Sequence, residues 1–115
     1  MQREPLAHLA DVVEASDLIG EFTAGADLAG YRSNPMMRSA VERQLEIIGE
    51  ALNRLKREQP ELADRIPDIR RIVAFRNVLA HGYDMVDDGA VWKAVTVDVP
   101  ILAAAVAALL EKLEA

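Results

Sequence analysis

The chain has 115 residues, about half of them apolar, no cysteine and a formal net charge of −6. That length and apolar share fit one domain with its own core, and the missing thiols exclude disulfides and thiolate metal sites. The negative charge argues against coating nucleic acid by electrostatics alone, but it is uneven: seven basic residues against four acids make residues 54–76 +3 and leave −9 for the rest.

The N-terminal MQREPLAHLADVVEASD carries acids among its apolar residues, unlike a signal peptide. Glu4-Pro5 starts a helix with proline in its first turn, and Leu6, Leu9, Val12, Val13 and Ile19 recur at helical spacing to about residue 23. Residues 26–31 have room for one short helical turn. Ser33-Asn34-Pro35 is a cap followed by a helix-starting proline, and it opens a second long helix over residues 35–58. Met37, Val41, Ile48, Leu52 and Leu55 form its apolar stripe, broadened by Leu45 and Ala51; Arg43, Glu50, Arg54 and Arg57 take the opposite face.

Pro60 ends that helix, and residues 59–67 read as a connector with a helical turn near 61–65. Asp68 can cap a third helix, in which Ile69, Ile72, Val73, Phe75, Val78 and Leu79 are apolar. Gly82 suits its C-cap, so it should end near His81. Asp87-Asp88-Gly89 begins a fourth helix that runs to the C-terminus, with Pro100 expected to kink it or split it in two. The apolar run Val99 to Leu110 is about half a membrane span and contains that proline, so no transmembrane helix is expected. The whole reads as an all-α, antiparallel helical bundle, with apolar surface on the last or second long helix wide enough to be covered in a dimer.

The chemistry concentrates in FRNVLAHGYD, residues 75–84. Asn77 and His81 are four apart and share a helix face; Arg76 can swing toward the imidazole, and Tyr83 can fold back beside it. A histidine moves protons near neutrality, a guanidinium binds a phosphate by two hydrogen bonds, and an amide orients either. This set can support metal-independent RNA cleavage by the ribose 2′-hydroxyl. The blander alternative is a C-terminal histidine on the helix dipole with Tyr83 packed on the core. Elsewhere, His8 is expected to be an exposed surface histidine and Trp92 a core residue. Glu46 and Glu50 are expected to be exposed partners for neighbouring arginines, the alternative being that Glu50 faces a cleft and orients Arg76.

Arg76, four residues, His81, one residue, Tyr83 matches the signature of HEPN-domain proteins, and the chain resembles their HepT-like toxins more narrowly. RQLEIIGEALNRL (43–55), RNVLAHGYD (76–84) and AVWKAVTVDVPIL (90–102) are each similar to blocks of that family, in the same order. Where many relatives carry tryptophan shortly before the arginine motif, this chain has Pro67-Asp68-Ile69-Arg70. The resemblance implies one HEPN domain over residues 1–115, a four- to five-helix bundle and a homodimer with a shared cleft. It implies a cytoplasmic endoribonuclease toxin acting on RNA rather than DNA, without cofactor, metal or membrane, with Arg76 and His81 catalytic and Asn77 supporting. Its partner would be a minimal, MntA-like nucleotidyltransferase antitoxin that transfers AMP to Tyr83. The alternative is a non-catalytic dimeric module that binds nucleotide or RNA and serves as the nucleotidyltransferase's substrate.

Overall fold

A computed structural model of the chain describes residues 3–67, 69, 70, 72, 73 and 87–114. Every regular element among them is helical: α1 (Arg3–Phe22), α2 (Leu28–Arg32), α3 (Pro35–Glu58), α4 (Pro60–Ala63), α5 (Asp88–Lys93) and α6 (Val99–Glu114), with a π-helical turn at Ala94–Asp98 between the last two. Ile69, Arg70, Ile72 and Val73 are also helical.

The starts of these helices follow from short polar side chains. The Asn34 side chain accepts the Met37 amide at 3.0 Å, and Pro35 fills the first position of α3, where its missing N–H costs nothing. Asp27 does the same for Gly30 at 2.8 Å, so α2 starts later than residue 26. Asp87 caps α5 by accepting from Gly89 at 2.8 Å and Ala90 at 3.3 Å. A Cβ on Gly89 would stand 3.1 Å from that carboxylate, so the tight cap favours glycine. After α1 the chain turns at Gly25, whose φ of 75° is open to glycine at little steric cost.

α1 packs along both α3 and α6, and α2 lies against α3 and α5. Val41, Ile48, Leu52 and Leu55 of α3 meet Leu9, Val12 and Ile19 of α1 and Leu102 and Val106 of α6 in one buried core. Each such side chain contributes about 1.5–3 kcal/mol on burial, before chain entropy is set against it. Tyr31 of α2 and Ile66 of the connector after α4 join this core.

Pro100 does not split the last helix in two. The backbone is helical without interruption from Asp88 to Glu114, and the Val99 amide reaches back five residues to the Ala94 carbonyl. The wider π turn stands directly ahead of the proline, where an ordinary α turn would bring the ring against a carbonyl. This 27-residue run has a window of mean hydropathy 1.9, so by length and composition alone it is long enough to cross a membrane, longer than the apolar run Val99 to Leu110. A third of that window is buried inside the bundle, through Val95, Val99, Leu102, Val106 and their neighbours.

Candidate functional site

Arg76, Asn77, His81 and Tyr83 lie outside the described residues. The described chain leads into their segment through Ile72, which is buried in the core, and Val73, which packs on it. It resumes at Asp87, four residues past Tyr83, with the capped start of α5.

A polar cluster stands at that point of return. The Tyr31 side chain is fully buried, its ring lies 5.4 Å from that of half-buried Trp92, and its hydroxyl has no hydrogen-bond partner among the described residues. Glu42 of α3 and Asp88 of α5 act on this phenol, with Arg38 opposing them. Burial, followed by the fields of Glu42 and Asp88, pushes the phenol well above its ordinary range. Glu42 is itself held above the ordinary carboxylate range, first by burial and then by Asp88 and Glu46, against the pull of Arg38. The Arg38 guanidinium also donates to the Arg32 carbonyl, which ties α3 to the end of α2. Glu42 and Tyr31 carried no sequence signal as a pair, because each lies on a separate helix; only their burial and the field of Glu42 at the phenol reveal the cluster.

His8 is buried rather than exposed. Its Nε2 lies 3.2 Å from Glu58 Oε1, which joins the first half of α1 to the last turn of α3. His8 follows the core-facing helical phase of Pro5, Leu9 and Val12, and this phase turns it inward. Glu50 pairs with Arg54 at 3.1 Å, one turn along α3, with both side chains about half exposed. Such a pair is worth roughly 0.3–0.5 kcal/mol. Beside it a cavity of about 90 Å³ is lined by His8, Asp11, Arg43 and Ile47. Gly49, next to Glu50, is buried. Among the described residues no three His, Asp or Glu side chains are grouped to hold a metal ion.

The positive stretch foreseen in the sequence is exposed where it is described. Arg54, Lys56, Arg57, Arg65 and Arg70 all face solvent along the end of α3 and the connector after it. Glu58, Glu61 and Asp64 are exposed among them and Arg54 is paired with Glu50, so the bases alternate with acids.

The family model "Ribonuclease HepT-like" matches residues 12–109. The chain is 37% identical over 99 residues to the protein named "Putative RNase MJ1380" of Methanocaldococcus jannaschii, covering 86% of this chain and 90% of that one. It is 36% identical over 102 residues to "Probable ribonuclease HepT" of Thermococcus cleftensis, covering 89% and 92% respectively. Against "Gamma-glutamylcyclotransferase and putative RNase MJ0434" of Methanocaldococcus jannaschii it is 30% identical over 114 residues, 99% of this chain and 51% of that longer protein. No solved structure matches.

Proposed function

Because the chain belongs to the ribonuclease HepT-like family, we propose that it is a metal-independent endoribonuclease toxin that works as a homodimer. The observation that carries this reading is the family match over residues 12–109, which spans the motif of Arg76, His81 and Tyr83. In the reaction, the ribose 2′-hydroxyl gives up its proton and attacks the adjacent phosphorus. The bond from phosphorus to the 5′-oxygen breaks, and that oxygen takes a proton. The products are a 2′,3′-cyclic phosphate and a 5′-hydroxyl. His81 serves the proton transfers, Arg76 stabilises charge on the phosphate oxygens, and Asn77 orients the imidazole. General base and general acid are two tasks and each chain brings one motif histidine, so the dimer supplies the pair across a shared cleft. The exposed bases from Arg54 to Arg70 support binding of the RNA backbone. Glu50, paired with Arg54, is a candidate to support the cleft by orienting Arg76.

Control is proposed to fall on Tyr83. A partner nucleotidyltransferase in the cytoplasm transfers AMP from ATP to its hydroxyl and releases pyrophosphate. The added bulk and negative charge, two residues from His81, then exclude an RNA phosphate. A second reading, a non-catalytic module that binds RNA or nucleotide and acts as the nucleotidyltransferase's substrate, is favoured by the net charge of −6 and the single histidine in the motif.

The deciding experiment incubates RNA with the purified protein in a chelator and compares it with His81→Ala. Cleavage by the wild type alone is expected. Equal cleavage by both, or by neither, removes the catalytic reading. Tyr83→Phe should lose the mass increase of AMP seen after incubation with the partner and ATP, and no increase in the wild type removes the proposed control.

A further inference from the structure

The run from Asp88 to Glu114 buries one side and leaves the other apolar. Val97 is 46% and Ile101 55% exposed, and with exposed Ala104 and Ala108 they form one stripe at helical spacing. Beside this stripe lies a groove of about 670 Å³, lined by Asp17, Gly20 and Glu21 of α1 and by Val99, Pro100 and Ala103 of the facing helix. A Cβ on Gly20 would meet nothing within 4 Å, so the groove is open along α1.

The rim of the groove has one sign of charge. Glu14, Asp17 and Glu21 recur every three to four residues on exposed α1, none forms an ion pair among the described residues, and the last turn of α1 has no basic residue. We propose that this groove and stripe form a docking surface for a partner protein presenting an amphipathic helix, with lysine or arginine beside its apolar face. The apolar face of such a helix covers Val97, Pro100 and Ile101, while its bases meet Asp17 and Glu21. A second copy of this chain is disfavoured here, because apposing two such faces brings two rows of acids into one interface. An anionic lipid surface is repelled for the same reason. None of these residues belongs to the 76–83 motif, so the inference stands apart from the ribonuclease reading.

The test uses the full chain and two labelled synthetic helices of equal length, one of leucine and lysine and one of leucine and glutamate, read by fluorescence anisotropy. The lysine helix is expected to bind and the glutamate helix not. Ile101→Asp, at an exposed position, should weaken binding by about tenfold or more, a loss of about 1.4 kcal/mol. Asp17→Lys with Glu21→Lys should reverse the preference between the two helices, with circular dichroism confirming the fold of each variant. Absent binding by the wild type, or a preference that does not reverse, overturns the proposal. So does a wild-type dimer in sedimentation that Ile101→Asp splits without peptide, which would make the face a self-contact. Binding to phosphatidylserine vesicles that Ile101→Asp abolishes would assign the face to lipid and overturn it too.

Discussion

The rings of Tyr31 and Trp92 lie 5.4 Å apart, tilted by 36°, and fasten the short helix α2 to α5. The phenol oxygen at the end of that contact is buried without a partner among the described residues. Tyr31→Phe keeps the ring pair and removes the unpaired group, so stability should hold or rise by about 1 kcal/mol. Tyr31→Ala should cost about 3–5 kcal/mol, as for other large aromatic truncations. Urea denaturation of the two variants checks this; a fall for phenylalanine as large as that for alanine would mean that the hydroxyl is bonded after all.

Glu42 sets a pH dependence whose sign follows from its surroundings. Its folded pKa is raised by burial, by Asp88 and by Glu46, so the folded state holds the proton more tightly than the unfolded chain does. This contribution is fully present below the ordinary glutamate value and is lost as pH rises from there through the folded value. Glu42→Gln should therefore be more stable than the wild type at neutral pH, and the difference should shrink on acidification into the ordinary carboxylate range. Thermal midpoints of both proteins across that range provide the measurement. A difference that does not vary with pH would show that Glu42 titrates normally.

Asp87 holds two amides at the start of α5, immediately after the motif segment. Asp87→Ala should cost about 1 kcal/mol, and Asp87→Asn much less, since asparagine caps nearly as well. Differential scanning calorimetry separates the two; equal losses would place the role of Asp87 in its charge rather than its cap.

Arg76→Lys keeps the positive charge that the ribonuclease reading needs but loses the planar fork that holds two phosphate oxygens. RNA cleavage should fall by about tenfold or more in kcat/KM, each tenfold corresponding to about 1.4 kcal/mol of transition-state stabilisation. A lysine variant as active as the wild type would reduce Arg76 to a point charge.

Features written within a few residues of one another were legible in the sequence. Asn34-Pro35 and Asp87 announced their helices because a cap needs only its own next turn, and the stripe from Val41 to Leu55 announced the buried face of α3 by its period. Contacts between distant segments were not. His8 and Glu58 are fifty positions apart, and nothing near His8 indicates that the end of α3 will cover it. Residues 26–31 read as a short helical turn, and nothing near Tyr31 indicates that Trp92 of α5 will meet its ring. At Pro100 the same local signal fits a kink, a break or a π turn, and the packing of Val95, Val99 and Leu102 into one core selects the last. Of the proposed site, the motif spacing was plain in the sequence, while Arg76, Asn77, His81 and Tyr83 fall outside the described residues.

The π turn at Ala94–Asp98 also gives the long C-terminal helix a place to open. Pro100 is the second residue of α6, a first-turn position that would need no amide if α6 stood as a helix of its own. Amide hydrogen exchange should then divide the run in two. Protection should be high around Val91 and again around Val106, and lower from Thr96 to Val99, where a widened turn meets a residue with no proton to donate. A helix that is continuous in shape would thus behave as two cooperative units in time.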